Sequence, residues 1–187
     1  LALLLGLTTP AWAYDMGYAG TTQVISCGET NNVFIKEDGT LWGMGDTGYD
    51  VLGETAGNLS TLLGIFQTTP IQLMDQVTSV SMKGHHIAVI RTDGSLWTWG
   101  DSYYGQVGNG VMVNLDLYDF MPIVSSPVKI MDQVSVVSCA EEYTAAVKTD
   151  GTLWTWGNGT YGQLGNGGYG DGVGLDAIQA RPVKILD

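Results

Sequence analysis

Positive charge is scarce in this chain, and charge of either sign is sparse. Lys and Arg number 7 against 19 Asp and Glu, charged residues make up 14% of 187 residues, and the formal net charge is −12. A nucleic-acid partner needs a basic stripe or patch facing its phosphates, and a few scattered cations supply none. Phosphate-rich partners and insertion into anionic membranes are excluded on the same ground. Only two cysteines, Cys27 and Cys139, and two histidines, His85 and His86, are present. With no Cys-x-x-Cys and no histidine cluster, they do not make a metal site. After the first few residues no apolar run is long enough to span a bilayer. The low charge argues against a coiled coil, and 44% hydrophobic residues argue against disorder.

What the chain does have begins at its first residue. Residues 1–13 hold an apolar run, Leu1-Ala2-Leu3-Leu4-Leu5-Gly6-Leu7, and end in Ala11-Trp12-Ala13. That is the hydrophobic region and small-x-small cleavage site of a secretory signal, lacking its basic start. Cleavage after Ala13 predicts an exported protein beginning at Tyr14, with residues 14–21 as a short lead-in. Glycine is the other excess. Its 27 occurrences are about twice the usual ~7% usage, which implies frequent turns and many short strands.

The chain also repeats itself. Asp38-Gly39, Asp93-Gly94 and Asp150-Gly151 stand in the same register as Trp42, Trp97 and Trp154, and as Gly53, Gly108 and Gly165. A fixed period of this length marks a repeat array or propeller. The units run 22–75, 76–132 and 133–187, each read as four strands. First strands are Thr22–Cys27, Val77–Met82 and Val134–Cys139. Second strands are Asn31–Glu37, His86–Thr92 and Tyr143–Thr149. An Asp-Gly two-residue turn, with positive φ at both central positions, leads to Thr40–Gly45, Ser95–Gly100 and Thr152–Gly157. Fourth strands are Ile71–Met74, Val128–Met131 and Val183–Leu186, each opened by a proline, as suits an edge. Four strands per repeat, rich in Gly and Trp, predict an all-β fold of propeller blades, antiparallel within each blade. Cys27 and Cys139 occupy matching places on non-adjacent blades, beyond the ~7 Å reach of a disulfide, and read as free, buried thiols.

The segment Val137-Ser138-Cys139 through Leu153-Trp154-Thr155-Trp156-Gly157, followed by Gly162-Gln163-Leu164-Gly165-Asn166-Gly167, resembles the regulator-of-chromosome-condensation repeat family. Ser95–Gly100 and Gly105–Gly110 repeat the pattern, and the likeness spans residues 22–187. It implies a seven-bladed ring, of which three blades are present here, so the sequence reads as the N-terminal part of a longer propeller. The first unit departs from the pattern: Met44 replaces the second Trp, while Asp50 and Val51 replace the Gly-Gln of Gly-Gln-Leu-Gly. The resemblance also implies two alternative functions, nucleotide exchange on a small GTPase and inhibition of an enzyme in the manner of β-lactamase-inhibitor propellers.

In-register Trp42, Trp97, Trp99, Trp154 and Trp156 are expected to pack blade against blade rather than line a sugar site. Gly39, Gly94, Gly151, Gly108 and Gly165 serve as structural turns. No nucleophile–base pair, phosphate loop or cofactor motif is present, and the Gly/Asp-rich residues 167–176 lack the ligand pattern of a calcium loop. His86 reads as structural and His85 as exposed. Recognition is expected in the long apolar loops, at Leu62, Phe66, Leu117, Tyr118 and Phe120. It is also expected along the rim formed by the turns, at Tyr103, Tyr143 and Tyr161, near Glu29, His85, Glu141 and Glu142. The function this predicts is a secreted or cell-surface, non-enzymatic scaffold that binds a protein or glycan. Self-association is expected if only three blades exist.

Overall fold

The computed structural model describes residues 24–53, 66–114, 121–169 and 177–187. Its twelve strands form three four-stranded antiparallel sheets, each a simple meander. The first blade holds β1 (Ile25–Cys27), β2 (Asn31–Ile35), β3 (Leu41–Asp46) and β4 (Phe66–Met74). The second holds β5 (Val77–Lys83), β6 (His86–Arg91), β7 (Leu96–Asp101) and β8 (Ile123–Met131). The third holds β9 (Val134–Cys139), β10 (Tyr143–Lys148), β11 (Leu153–Asn158) and β12 (Ile178–Leu186). β1 packs against β5 and β5 against β9, so the sheets converge at their first strands. The all-β propeller-blade architecture is the expected one.

Strand alternation gives each blade two faces, and the second blade has both of them covered by its neighbours. The front face of the second blade carries Val80, Val89 and Trp97 in one cross-strand row and Met82, Ile87 and Trp99 in the next. It closes on Val33, Ile35 and Leu41 from the back of the first blade. The back of the second blade offers Ala88, Ile90 and Leu96 to Val137, Cys139, Ala146 and Trp156 of the third. Val33, Val80, Ile87, Val89, Leu96 and Trp156 are fully buried at these seams. Burying Val-, Leu- and Ile-sized side chains is worth ~1.5–3 kcal/mol each, so the seams carry much of the stability.

Four details differ from the sequence expectation. The fourth strands begin four residues before their prolines, so Pro70, Pro127 and Pro182 sit mid-strand. Register shifts opposite each proline, between Gly43 and Gly45, Thr98 and Gly100, and Thr155 and Gly157, remove the ladder bond that the missing N–H would break. Consequently Phe66, Ile123 and Val124 are strand rather than loop residues. The Asp-Gly hairpin is also a longer loop. Gly39 N–H bonds to Lys36 O and Lys36 N–H to Thr40 O, each at 2.9 Å. Only the glycine is left-handed, at φ 78°, which is a type I turn closed by a glycine bulge. Cys139 is buried as expected, but Cys27 is exposed, because none of the described blades covers its side of β1. Finally, of the five in-register tryptophans Trp99 and Trp156 are buried, whereas Trp42, Trp97 and Trp154 are half-buried.

The half-buried three share one device. Trp42 Nε1–H donates to Thr40 Oγ1 (2.7 Å), whose hydroxyl donates to Asp38 Oδ1 (2.6 Å). Trp97–Ser95–Asp93 and Trp154–Thr152–Asp150 repeat it. These hydrogen bonds, with the backbone N–H that each carboxylate also accepts, hold the three Asp pKa values below the ordinary carboxylate value. A cation lies over each indole, Lys36 at 3.4 Å, Arg91 at 5.8 Å and Lys148 at 5.9 Å from the ring centroid.

Candidate interaction rim

The opposite rim carries the turns between first and second strands and the loops between third and fourth. Asp46, Asp101 and Asn158 end the third strands, and their side-chain oxygens accept the N–H of Gly48, Tyr103 and Thr160, each at 2.9 Å. Beyond this Asx turn the first two blades bring Tyr49 and Tyr104 toward the following blade. Tyr49, left-handed at φ 59°, stacks on His85 of the second blade, with ring centroids 4.0 Å apart and planes 10° apart. His85 Nε2 pairs with Glu29 Oε2 at 3.1 Å. His85 is therefore a half-buried stacked ring rather than the exposed side chain the sequence suggested.

The next seam repeats the arrangement with different chemistry. Tyr104 takes the place of Tyr49, and Glu142 that of His85. Burial first, and the Glu142 carboxylate next, raise the Tyr104 phenol pKa above its ordinary value. Glu142 Oε2 accepts from Asn158 Nδ2 at 2.6 Å. Tyr103 meets Tyr104 edge-on, centroids 4.9 Å apart. Asp101 accepts from Gln106 Nε2 at 3.1 Å, and burial raises its pKa, with Glu142 adding to the rise. Tyr161, the third loop tyrosine, is 89% exposed.

Beneath this rim a buried polar chain ties the second and third blades. Trp156 Nε1–H and Thr144 Oγ1–H both donate to Gln106 O, at 2.8 and 2.9 Å. His86 Nε2 lies 2.9 Å from Thr144 Oγ1, which assigns the Nε2–H tautomer because the hydroxyl's proton is already committed. Burial lowers the His86 pKa from 6.5 to about 4, so the ring is neutral. Its role is structural, as expected.

The rim thus brings together Tyr103, Tyr161, Glu29, His85 and Glu142, as the sequence proposed. Tyr143 does not join its tip. It starts β10 in the register of His86 and is half-buried. Phe66 is 66% exposed, on the outer strand of the first blade. Leu62, Leu117, Tyr118 and Phe120 lie outside the described residues, as do residues 170–176 of the Gly/Asp-rich segment. The Tyr49–His85 stack and the Asp101–Gln106 pair were not foreseen. Their only signal was the repeated Asp or Asn ending each third strand. Among the described residues no three of His, Cys, Asp and Glu are grouped as metal ligands, and no helix is long and apolar enough to cross a membrane.

Comparison with known proteins agrees with this geometry. Two profiles of the regulator of chromosome condensation (RCC1) repeat match residues 77–106 and 134–163, and residues 93–147 and 150–185. The chain belongs to the RCC1 repeat family. This RCC1-repeat chain is 26% identical over 165 residues to the mitochondrial RCC1 domain-containing protein RUG3 of Arabidopsis thaliana, covering 86% of this chain and 33% of that protein. It is 30% identical over 148 residues to the ultraviolet-B receptor UVR8 of the same plant, covering 77% of this chain and 31% of the receptor. The fold resembles that of Prp20p from Saccharomyces cerevisiae, with a TM-score of 0.70 at 20% identity, over 89% of this chain and 38% of that one. It also resembles human WBSCR16, with a TM-score of 0.59 at 22% identity over the same shares. The chain spans about a third of the length of RUG3 and UVR8.

Proposed function

We propose that these RCC1 repeats form a non-enzymatic binding scaffold, exported from the cell, that holds a protein partner against the loop rim. The observation that carries the reading is the chemistry of that rim. Tyr103, Tyr104 and Tyr161 supply rigid amphipathic rings, of the type enriched at protein interfaces. Glu29, Asp101, Glu141 and Glu142 surround them, so the fitting partner presents Lys and Arg. A protein partner also accords with the structures of Prp20p, which is described with binding properties toward Gsp1p and histones and in complex with Kap60. Export rests on the apolar start of the chain and its Ala-Trp-Ala triplet.

The test is site-specific photo-crosslinking. A photoreactive residue at position 161 is expected to capture a partner, and the same group at position 94, on the opposite rim, to capture none. Capture from position 94 with none from 161 would overturn the assignment. Accumulation of the chain in the medium, with Tyr14 as its first residue, is the outcome expected of export.

A further inference from the structure

The two seams inside the chain share their central contact and differ at their outer flank. In each, a Trp Nε1–H crosses to a loop carbonyl of the preceding blade: Trp99 to Val51 O and Trp156 to Gln106 O, both 2.8 Å. Outside that bond, residues of β12 lie on the second seam. Ala180 packs on Gly105, where a Cβ would come 2.6 Å from Ala180 Cα. The Arg181 guanidinium lies on Gly110, where a Cβ would come 2.6 Å from Nη2. The register of the repeat puts Ser125 and Ser126 of β8 at the places of Ala180 and Arg181 in the first seam.

Serine at position 126 is too short to reach across as Arg181 does. The first seam is left with a cleft of about 170 Å³, walled by Leu52, Leu73 and Pro127, with buried Trp99 at its base and both serines beside it. The cleft lies at an internal seam, away from both ends of the chain. It also carries a charge that the second seam lacks. Ser125 Oγ donates to Asp50 Oδ2 at 2.7 Å, and among the described residues no Lys or Arg pairs with this carboxylate. Asp50 is left-handed at φ 51°, in the place of Gly105 at 73° and Gly162 at 75°. Glycine takes that conformation freely and aspartate does not, so the carboxylate stands here at a backbone cost. The second seam has the arginine and, against Ala180, no room for a carboxylate. The first has the carboxylate and no arginine.

We propose that the cleft of the first seam takes an arginine side chain of the protein partner, its stem against Trp99, Leu73 and Pro127 and its guanidinium on Asp50. Arg181 is the precedent within the chain, since it fills the matching place at the second seam. Apolar walls with one acidic edge fit a side chain whose stem is apolar and whose planar head is cationic. The formal net charge of −12 favours approach of such a partner. The inference rests on the reading that the ligand is a protein, and it adds a site distinct from the rim tyrosines.

Nuclear magnetic resonance of the full chain tests this, with a blocked peptide that carries one arginine between glycine and serine residues as the probe. The Trp99 Nε1–H signal is expected to shift on titration. The Trp156 signal, at the seam that Arg181 already occupies, is expected to stay. A citrulline peptide, of nearly the same shape without the charge, is expected to bind about tenfold more weakly, and Asp50→Asn to weaken the arginine peptide by about the same factor. Asparagine keeps the left-handed turn and an acceptor for Ser125. Ser126→Arg, which copies Arg181, is expected to abolish the Trp99 response without lowering the melting temperature. An unmoved Trp99 signal, equal shifts of both indoles, or equal binding of a norleucine peptide would overturn the proposal, the last by making the occupant purely apolar. These signals do not involve Tyr103, Tyr104 or Tyr161, so a failure here and a failure of crosslinking at position 161 are told apart.

Discussion

The two rims of the blades obey different rules. On the hairpin rim every blade carries the same four parts: an Asp that accepts, a Thr or Ser that relays, a Trp that donates, and a Lys or Arg over the ring. On the loop rim the backbone turn repeats but the side chains it presents do not. The residue under the loop tyrosine is His85 at one seam and Glu142 at the next, and it takes a stacking contact at one and a Coulombic one at the other. Parts needed by every blade repeat, because each blade solves the same packing problem. Side chains that vary on an unvarying frame are the ones available for recognition.

Breaking a seam is expected to have the largest effect. Trp156→Ala removes a fully buried indole and its bond to Gln106 O, and is expected to cost about 3–5 kcal/mol. Trp154→Ala, two residues away and half-buried, is expected to cost clearly less. Thermal or denaturant melts of the pair check both.

Acid comes next. His86 is neutral when folded, with a pKa of about 4, and near 6.5 when unfolded, so the unfolded chain binds a proton that the folded one refuses. Its contribution is complete above about pH 6.5 and is lost as pH falls toward 4, a decline of about 3 kcal/mol. The melting temperature of His86→Gln is expected to fall less steeply over that window.

A smaller effect is expected on the hairpin rim. Asp93→Ala deprives Ser95 of its acceptor and is expected to lower the melting temperature modestly, with Asp38→Ala and Asp150→Ala behaving alike. Unequal effects would break the idea of one device used three times. The two thiols sharpen the contrast between covered and uncovered faces without changing stability. Cys27, exposed, is expected to react with a thiol reagent in the native state. Cys139 is buried, with its pKa pushed up to about 12, and is expected to react only on unfolding. Labelling followed by peptide mass analysis distinguishes them.

Much of this fold was readable before any coordinates. Asp-Gly, Leu-Trp-x-Trp-Gly and Gly-Gln-Leu-Gly in register located the second and third strands and the blade count. The prolines misled because a bulge inside the outer strand tolerates them as well as a strand start does. The Asp-Gly dipeptides misled because type I turns with a glycine bulge use the same letters as tighter turns. Lys36, Arg91 and Lys148 stand in equal register, a signal the sequence reading passed over, and the hairpin geometry shows that each lies over its Trp. The rim was half legible. Tyr103, Tyr161, Glu29 and Glu142 could be placed at one end of the blades from topology. That Tyr49 covers His85 depends on which way the loop leans, and that is set by an Asx turn and by a left-handed tyrosine no pattern reports.

The most direct measurement is partner retention by two matched variants of the chain. One carries Tyr161→Ala with Glu142→Lys on the loop rim, and the other Asp93→Ala with Asp150→Ala on the hairpin rim. The partner captured through position 161 is expected to lose the first variant while that variant's melting temperature holds, and to keep the second despite its lower melting temperature. Retention of the loop-rim variant, with loss only of the destabilised one, would contradict the division of labour between the rims.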